Sequence, residues 1–268
     1  MKKAKKLLAI LMALSVVMCF AACGGSDSAD SEQSDSAYVQ EKGTLIVGIT
    51  EFEPMDYKDD EGNWIGFDAD MATAFAESLG VDVEFVVIDW DNKIMELEAQ
   101  SIDCVWNGMT LTDEVKNSMA TSNAYCDNAQ VIVVPSDKAA DYATVEAAKD
   151  LSFSAEAGSA GEAALNDLGY NVTSLQSQAD ALMEVAAGTS DACVIDLLMA
   201  GAMIGEGTSY ENLTYTASLN SEKYGVGFRV GSDLADLLNQ FFIDSYADGT
   251  MIEIAEKYGV QESLIEQK

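Results

Sequence analysis

The stretch "DCVWNGMTLTDEVKNS", residues 103–118, decides how this chain is read. A short apolar segment around Cys104, Val105 and Trp106 passes through Asn107, Gly108, Met109 and Thr110 into a helical start. Thr112 suits a helix cap, and Asp113 and Glu114 fall where first-turn acids are favoured. The stretch is therefore one strand-to-helix unit with small polar residues at its junction. Units of the same kind recur on both sides. "TLIVGIT" (44–50) is a continuous apolar, β-branched run, as in a strand covered on both faces. "MDYKDDEGNWIGF" reads as a hairpin turning at Asp60, Glu61, Gly62 and Asn63. In "DADMATAFAESLG", Met71, Ala74, Phe75 and Leu79 recur at helical spacing and Gly80 stops the helix. "VDVEFVVI", "DNKIMELEAQ" and "QVIVVPS" continue the alternation. A second series runs from "LSFSAEA" to "LTYTASL", then come "YGVGFRV" and two helices over 232–248 and 250–258. Alternation of this kind predicts an α/β fold of parallel sheets with crossover helices, and two series predict two lobes. Ligands of open α/β sheets sit outside the carboxyl ends of the strands, so residues just after strands are the candidates.

The 268-residue chain carries 46 acidic and 14 basic residues and no histidine, for a net charge of −32. Without histidine, Ser-His-Asp and Cys-His machinery is excluded and a zinc enzyme is not expected. The acidic turn at 57–63 makes a poor calcium loop, because Tyr57 would stand at the first ligand position. No metal and no cofactor is expected. The first 22 residues, "MKKAKKLLAILMALSVVMCFAA", combine four lysines, an apolar run too short to span a bilayer and a small-residue pair, the pattern of a secretory signal. Their removal takes the net charge from −32 to −36. Such a body repels nucleic acid and anionic membrane surfaces and favours cationic or zwitterionic small partners; solubility alone also accounts for it. The small pair followed by Cys23 resembles a bacterial lipobox, which implies cleavage before Cys23 and a lipid on its sulfur; an ordinary signal peptide is the alternative. Residues 23–40, including "GGSDSADSEQSDSA", read as a flexible acidic linker. Cys104 and Cys193 lie in apolar strand-like runs and read as buried small hydrophobes; Cys126 is ambiguous.

The order of motifs resembles the extracellular solute-binding proteins of polar amino-acid ABC transporters. The matching pieces are "GTLIVGITEFEPMDYKDDEGNWIGFDADMATAFAESLG", "DWDNKIMELEAQSIDCVWNGMTLTDE", "SNAYCDNAQVIVV", "AEAGS", "AAGTSDACVIDLLMA" and "YGVGFRVGSDLADLLNQ", in order from about residue 43 to residue 258. The resemblance implies the two-lobed type II periplasmic-binding-protein fold, a Venus flytrap with two hinge strands. Lobe 1 would comprise 41–133 and 225–268 and lobe 2 134–224, with hinges at 131–136 and 224–229. It implies a lipid-anchored monomer on the outer face of the bacterial membrane. That monomer captures an amino acid and delivers it to a permease driven by a separate ATPase, without catalysis of its own.

The resemblance also assigns site residues. Phe52 and Trp90 would flank the ligand side chain, although ordinary core packing suits both. Asn107, Gly108, Met109 and Thr110 would grip the ligand's main-chain groups, with Gly108 allowing close backbone approach; Thr110 and Thr112 also suit helix capping. Asp196, at the end of "ACVID", would pair with the ligand ammonium, or cap the following helix. Ser159 would open a helix whose N-terminus suits a carboxylate, and Glu156 would face the ligand side chain. The family's carboxylate-clamping arginine is replaced by Val115. Lys116 points about 100° away on a helix, and the single arginine, Arg229, falls in an expected hinge. Two other readings stay open: a receptor for an amine or other small cation, and a dehydratase-like enzyme using Glu156 as general acid.

Overall fold

The computed structural model describes residues 33–268. The apolar run at 44–50 forms β1 (Thr44–Ile49), whose Leu45, Val47 and Ile49 are fully buried. β1 pairs in parallel with β4 (Asp82–Val87) and β5 (Cys104–Thr110). β13 (Glu222–Phe228) lies antiparallel to β5 and pairs with the short β6 (Ala120–Thr121) and β7 (Cys126–Asn128), which completes the first sheet. Helices α2 (Phe67–Leu79), α8 (Leu234–Asp248) and α9 (Thr250–Tyr258) belong to its hydrophobic core. There Phe75, Trp106 and Phe242 meet with ring centroids 6.3 and 5.7 Å apart. A separate apolar cluster joins Ile88, Trp90, Leu97 and Ile102 with Val115 and Met119. It brings in α3 (Lys93–Glu98) and α4 (Asp113–Ser118). The hairpin is β2 (Tyr57–Lys58) with β3 (Trp64–Ile65).

The second sheet has the order β10-β9-β11-β8-β12. Its strands are β8 (Gln130–Pro135), β9 (Ser152–Glu156), β10 (Asn171–Leu175), β11 (Ala192–Asp196) and β12 (Leu213–Ser218). The helices α5 (Ala160–Leu168), α6 (Gln178–Ala187) and α7 (Leu197–Met203) follow β9, β10 and β11 in the chain. β9 is parallel to β10 and β11, as alternation predicts, but β8 runs antiparallel to β11 and β12. The sheets are mixed because β8 and β13 each enter straight from the other sheet, with no crossover helix to restore their direction.

Two expected boundaries differ from the structure. The apolar segments 131–136 and 224–229 sit inside single sheets, in β8 and β13. The chain passes between the sheets at Ala129 and at residues 219–221, just before each of those strands. Apolar β-branched residues are buried within a sheet, and the passages fall to the small and polar residues beside them. The expected linker over 23–40 also ends early. Ser34 caps α1 (Asp35–Lys42) by accepting from the Ala37 amide, Val39 is fully buried, and Ser36 bonds to Asp233. These long-range partners order a segment whose composition alone reads as a tether. The expected signal sequence, Cys23 and the remainder of the linker lie outside the described residues.

Arg229 holds α1 to the first sheet. Its guanidinium donates to both oxygens of Asp35 at 3.1 Å and to the Ile102 carbonyl at 2.8 Å. The fully buried Asp103 sits beside it, 2.6 Å from the Lys42 ammonium and 2.8 Å from the Ile46 amide. Cys104, Cys126 and Cys193 are all buried free thiols, and burial pushes each of them up. Among the described residues no helix is long and apolar enough to cross a membrane, and no acidic or sulfur cluster has metal-binding form. Asp103→Ala strands Lys42, Arg229 and an amide without their shared acceptor; urea unfolding is expected to show a loss of about 3 kcal/mol, the scale for breaking a buried ion pair.

Candidate functional site

A cavity of ≈ 470 Å³ opens between the two sheets, at the carboxyl ends of β5, β9 and β11. Trp90, Asn107, Gly108, Met109, Thr110, Glu156, Ser159 and Asp196 line it. Phe52 does not line it. It is 1% exposed and packs edge-to-face on Tyr224 with centroids 6.2 Å apart. The residues expected in a polar junction, Asn107 to Thr110, are the last turnless stretch of β5 itself. The strand continues because β13 arrives from the far end of the chain to pair Tyr224 with Thr110 and Gly225 with Met109.

Several of these side chains are already engaged. Asn107 accepts from the Thr50 amide at 3.0 Å and hydroxyl at 2.9 Å, and donates to the Thr50 carbonyl and to Asp56. It locks the end of β5 to the end of β1. The Gly108 amide donates to Asp68 at 2.6 Å. Burial pushes Asp68 up to about 7 and Asp56 well above the carboxylate range, where Asp68 repels it further. Gly108 has φ +53°, and a Cβ there would stand 2.5 Å from the Phe52 ring. Its glycine is thus required by the packing behind the cavity as well as by any approach from within it. Thr110 donates to Glu222 at 2.9 Å. Thr112 caps α4 through the Val115 amide. Val115 stands buried on the cavity wall, whereas Lys116 is exposed and outside it.

Asp196 ends β11, 4% exposed. It makes no side-chain capping bond to α7. Tyr224 donates to its Oδ1 at 2.6 Å and Gln130 at 3.1 Å, Asn128 donates to the same oxygen, and the Gln178 side chain adds a further hydrogen bond. Burial pushes Asp196 up to about 8, with Glu222 adding repulsion and the donors opposing it. Glu156 ends β9, 2% exposed, and its Oε1 has no hydrogen-bond partner. Burial and then Asp196 push it up to about 8, and Lys93 works against the shift. Ser159 caps α5 by accepting from the Glu162 amide at 3.0 Å, and Glu162 reaches back to the Gly158 amide at 2.8 Å. This reciprocal cap satisfies the Gly158 and Glu162 amides and sets a carboxylate beside the helix start.

Lys93 is one residue of the site that sequence reading missed. It is 9% exposed and lines the cavity. Its ammonium lies 4.9 Å from the Trp90 ring centroid, donates to the Trp90 carbonyl at 3.1 Å, and crosses to the Gly158 carbonyl of the second lobe at 3.0 Å. Burial pulls it down while Glu156 opposes that shift. A cation at the first position of a helix runs against the dipole, and that was the available signal. Asn128, Gln130 and Glu222 were also missed, since each reads alone as an ordinary polar residue beside a strand.

These features coincide with a family match. Residues 45–261 fit the model of bacterial extracellular solute-binding proteins, family 3. The chain belongs to that family. The arginine-binding extracellular protein ArtP of Bacillus subtilis is 26% identical over 95% of this chain and 98% of its own length. The L-cystine-binding protein TcyJ of Escherichia coli is 27% identical over 82% and 84%. A variant of ArgBP from T. maritima superposes with a TM-score of 0.78 at 30% identity, over 84% of this chain and 98% of its own. The family 3 chain described here therefore shares the two-lobed fold of its relatives.

The same contacts show how its lobes meet. Gly158 has φ +69°, and a Cβ there would stand 2.7 Å from the Asp91 Cα of the first lobe. Gln176 also reaches across to Asp89. Gly158→Val is therefore expected to hold the lobes apart. Small-angle scattering at saturating ligand should give a larger radius of gyration than wild type, and affinity should fall at least about tenfold, the equivalent of ~1.4 kcal/mol.

Proposed function

We propose that this protein captures an amino acid between its lobes and delivers it to the permease of an ABC transporter, with Asp196 receiving the ligand's ammonium group. The observation that carries this reading is the state of Asp196. It is a buried carboxylate at the cavity wall, oriented by Tyr224, Gln130 and Asn128 and raised by burial, so that a cation placed on it restores the ionised form. A charge-assisted bond in a closed cleft is about twice as strong as a neutral one. Family membership and relatives named for binding arginine and cystine support the same reading. Gly108, Met109 and Thr110 form the opposite wall, with Trp90 beneath the Lys93 ammonium. Mass spectrometry of small molecules released from natively purified protein identifies the ligand, and its recovery unaltered after incubation distinguishes capture from turnover on Glu156. Calorimetry with that compound is expected to show Asp196→Ala losing at least ~2 kcal/mol of binding, as for one partner of a buried charged pair. Unchanged affinity would refute the assignment.

We also propose that Cys23 carries the lipid that holds the protein on the outer face of the membrane. The basic start, the apolar run and the Ala21-Ala22-Cys23 sequence support it. Fractionation of cells expressing Cys23→Ala is expected to move the protein from the membrane pellet to the soluble fraction.

A further inference from the structure

Glu222 stands behind the cavity, at the start of β13, where the chain has just returned to the first sheet. It is buried and takes no part in the cavity lining. Its Oε1 accepts from the Asn128 side-chain amide at 2.7 Å, the Gln130 side-chain amide at 2.8 Å and the Thr110 hydroxyl at 2.9 Å; its Oε2 accepts from Asn220 at 2.9 Å. An apolar residue would fill the same space without desolvating an acid. Two of its partners connect it to capture. The nitrogens of Asn128 and Gln130 that bond Glu222 also bond Asp196, on the far sheet. Among the described residues, no lysine or arginine forms an ion pair with either acid.

Two acids that share donors oppose each other's ionisation. Burial pushes Asp196 up and Glu222 is the next cause, with Tyr224, Gln178 and Gln130 opposing. Tyr224, on β13, is itself pushed well above its usual range by burial and then by Asp196, with Glu222 and Cys126 adding to the shift. Glu156, on β9, is pushed up by burial and then by Asp196; Asp180 on α6 adds to that, and Lys93 on α3 opposes it. A proton and an ammonium group are alternatives on the Asp196 carboxyl, because each cancels the charge that Glu222 repels. Glu222 therefore holds a proton on the empty site and favours an ammonium on the filled one.

Resting on the capture reading above, we propose that Glu222 is a positioning residue for capture: through the Asn128 and Gln130 amides it fixes the Asp196 carboxyl and makes it exchange a proton for the ammonium group of the arriving amino acid. The Asp196 O–H bond breaks, its proton passes to solvent, and the ammonium keeps its own protons. Affinity then rises with pH by about tenfold per unit and levels once Asp196 ionises unaided. The test uses the full chain and, as probe, whichever of the twenty amino acids and L-cystine binds it most tightly at pH 8 in calorimetry. Affinity for that probe is measured from pH 5 to pH 8.5, and proton release from the heats in buffers of unlike ionisation enthalpy. Wild type is expected to release a proton on binding, approaching one per probe molecule in acid. Glu222→Gln, which keeps the shape and removes the charge, is expected to lower the midpoint of the profile by at least about one pH unit. It should bind more weakly than wild type above that midpoint and converge with it in acid. Gln130→Met removes a shared donor, keeps both acids and is expected to raise the midpoint. Protons exchanged by the probe itself are common to all three proteins and cancel in the comparison. A role confined to holding the fold would weaken binding equally at every pH. An unmoved midpoint in either variant, or no proton release by wild type, overturns the proposal and leaves capture standing; Gln130→Met alone decides if Glu222→Gln does not fold. If none of the probes binds, capture itself falls and the proposal with it.

Discussion

Asp196 and Glu222 share donors: the side-chain amides of Asn128 and Gln130 each donate to both carboxylates. Two buried acids this close repel one another, and only intervening N–H groups make the arrangement tolerable. The donors come from the segment where the chain first passes between the sheets, and Glu222 follows the segment where it returns. Thr110, on the cavity wall, donates to the same Glu222 oxygen, and Asn220 to the other. One hydrogen-bond network thus ties the cavity-lining Asp196, both strand passages and the end of β5. Any change in charge at Asp196 acts on the strands about which the lobes are joined.

A second tie crosses the mouth of the cleft. The Lys93 ammonium bridges a first-lobe carbonyl and a second-lobe carbonyl, and Gly158 lies against Asp91 with no room for a side chain. Backbone atoms therefore carry part of the contact between the lobes. Behind β5, Asn107, Asp56, Asp68 and Tyr125 lock the strand end from the other side; Tyr125 donates to Asp68 at 2.7 and 2.8 Å. The cavity wall is therefore cross-linked by hydrogen bonds at the end of β5 and charged at the ends of β9 and β11.

Much of this was legible in advance. Alternating strand and helix patterns, the hairpin turn and helix-ending glycines depend on local periodicity and backbone preference, which the sequence carries directly. The family resemblance, together with the rule that ligand sites lie beyond the strand ends of open α/β sheets, pointed to Glu156 and Asp196, and both line the cavity. Phe52 was misplaced because an aromatic after a strand packs equally well inward, and Gly108, lacking a side chain, leaves it that space. Lys93 escaped because its role needs a carbonyl 65 residues away. The helix at 35–42 escaped because its partners, Arg229 and Asp233, lie near the other end of the chain.

By itself the sequence determined the α/β class, the family pattern, the absence of histidine chemistry and a strongly acidic body, since these follow from composition and short-range spacing. The tertiary structure alone decided the mixed direction of the strands, where the chain passes between sheets, which polar groups are already paired, and which carboxylate oxygens are left without a donor. Those outcomes rest on contacts between residues far apart in the chain, and on burial, which a local pattern does not encode.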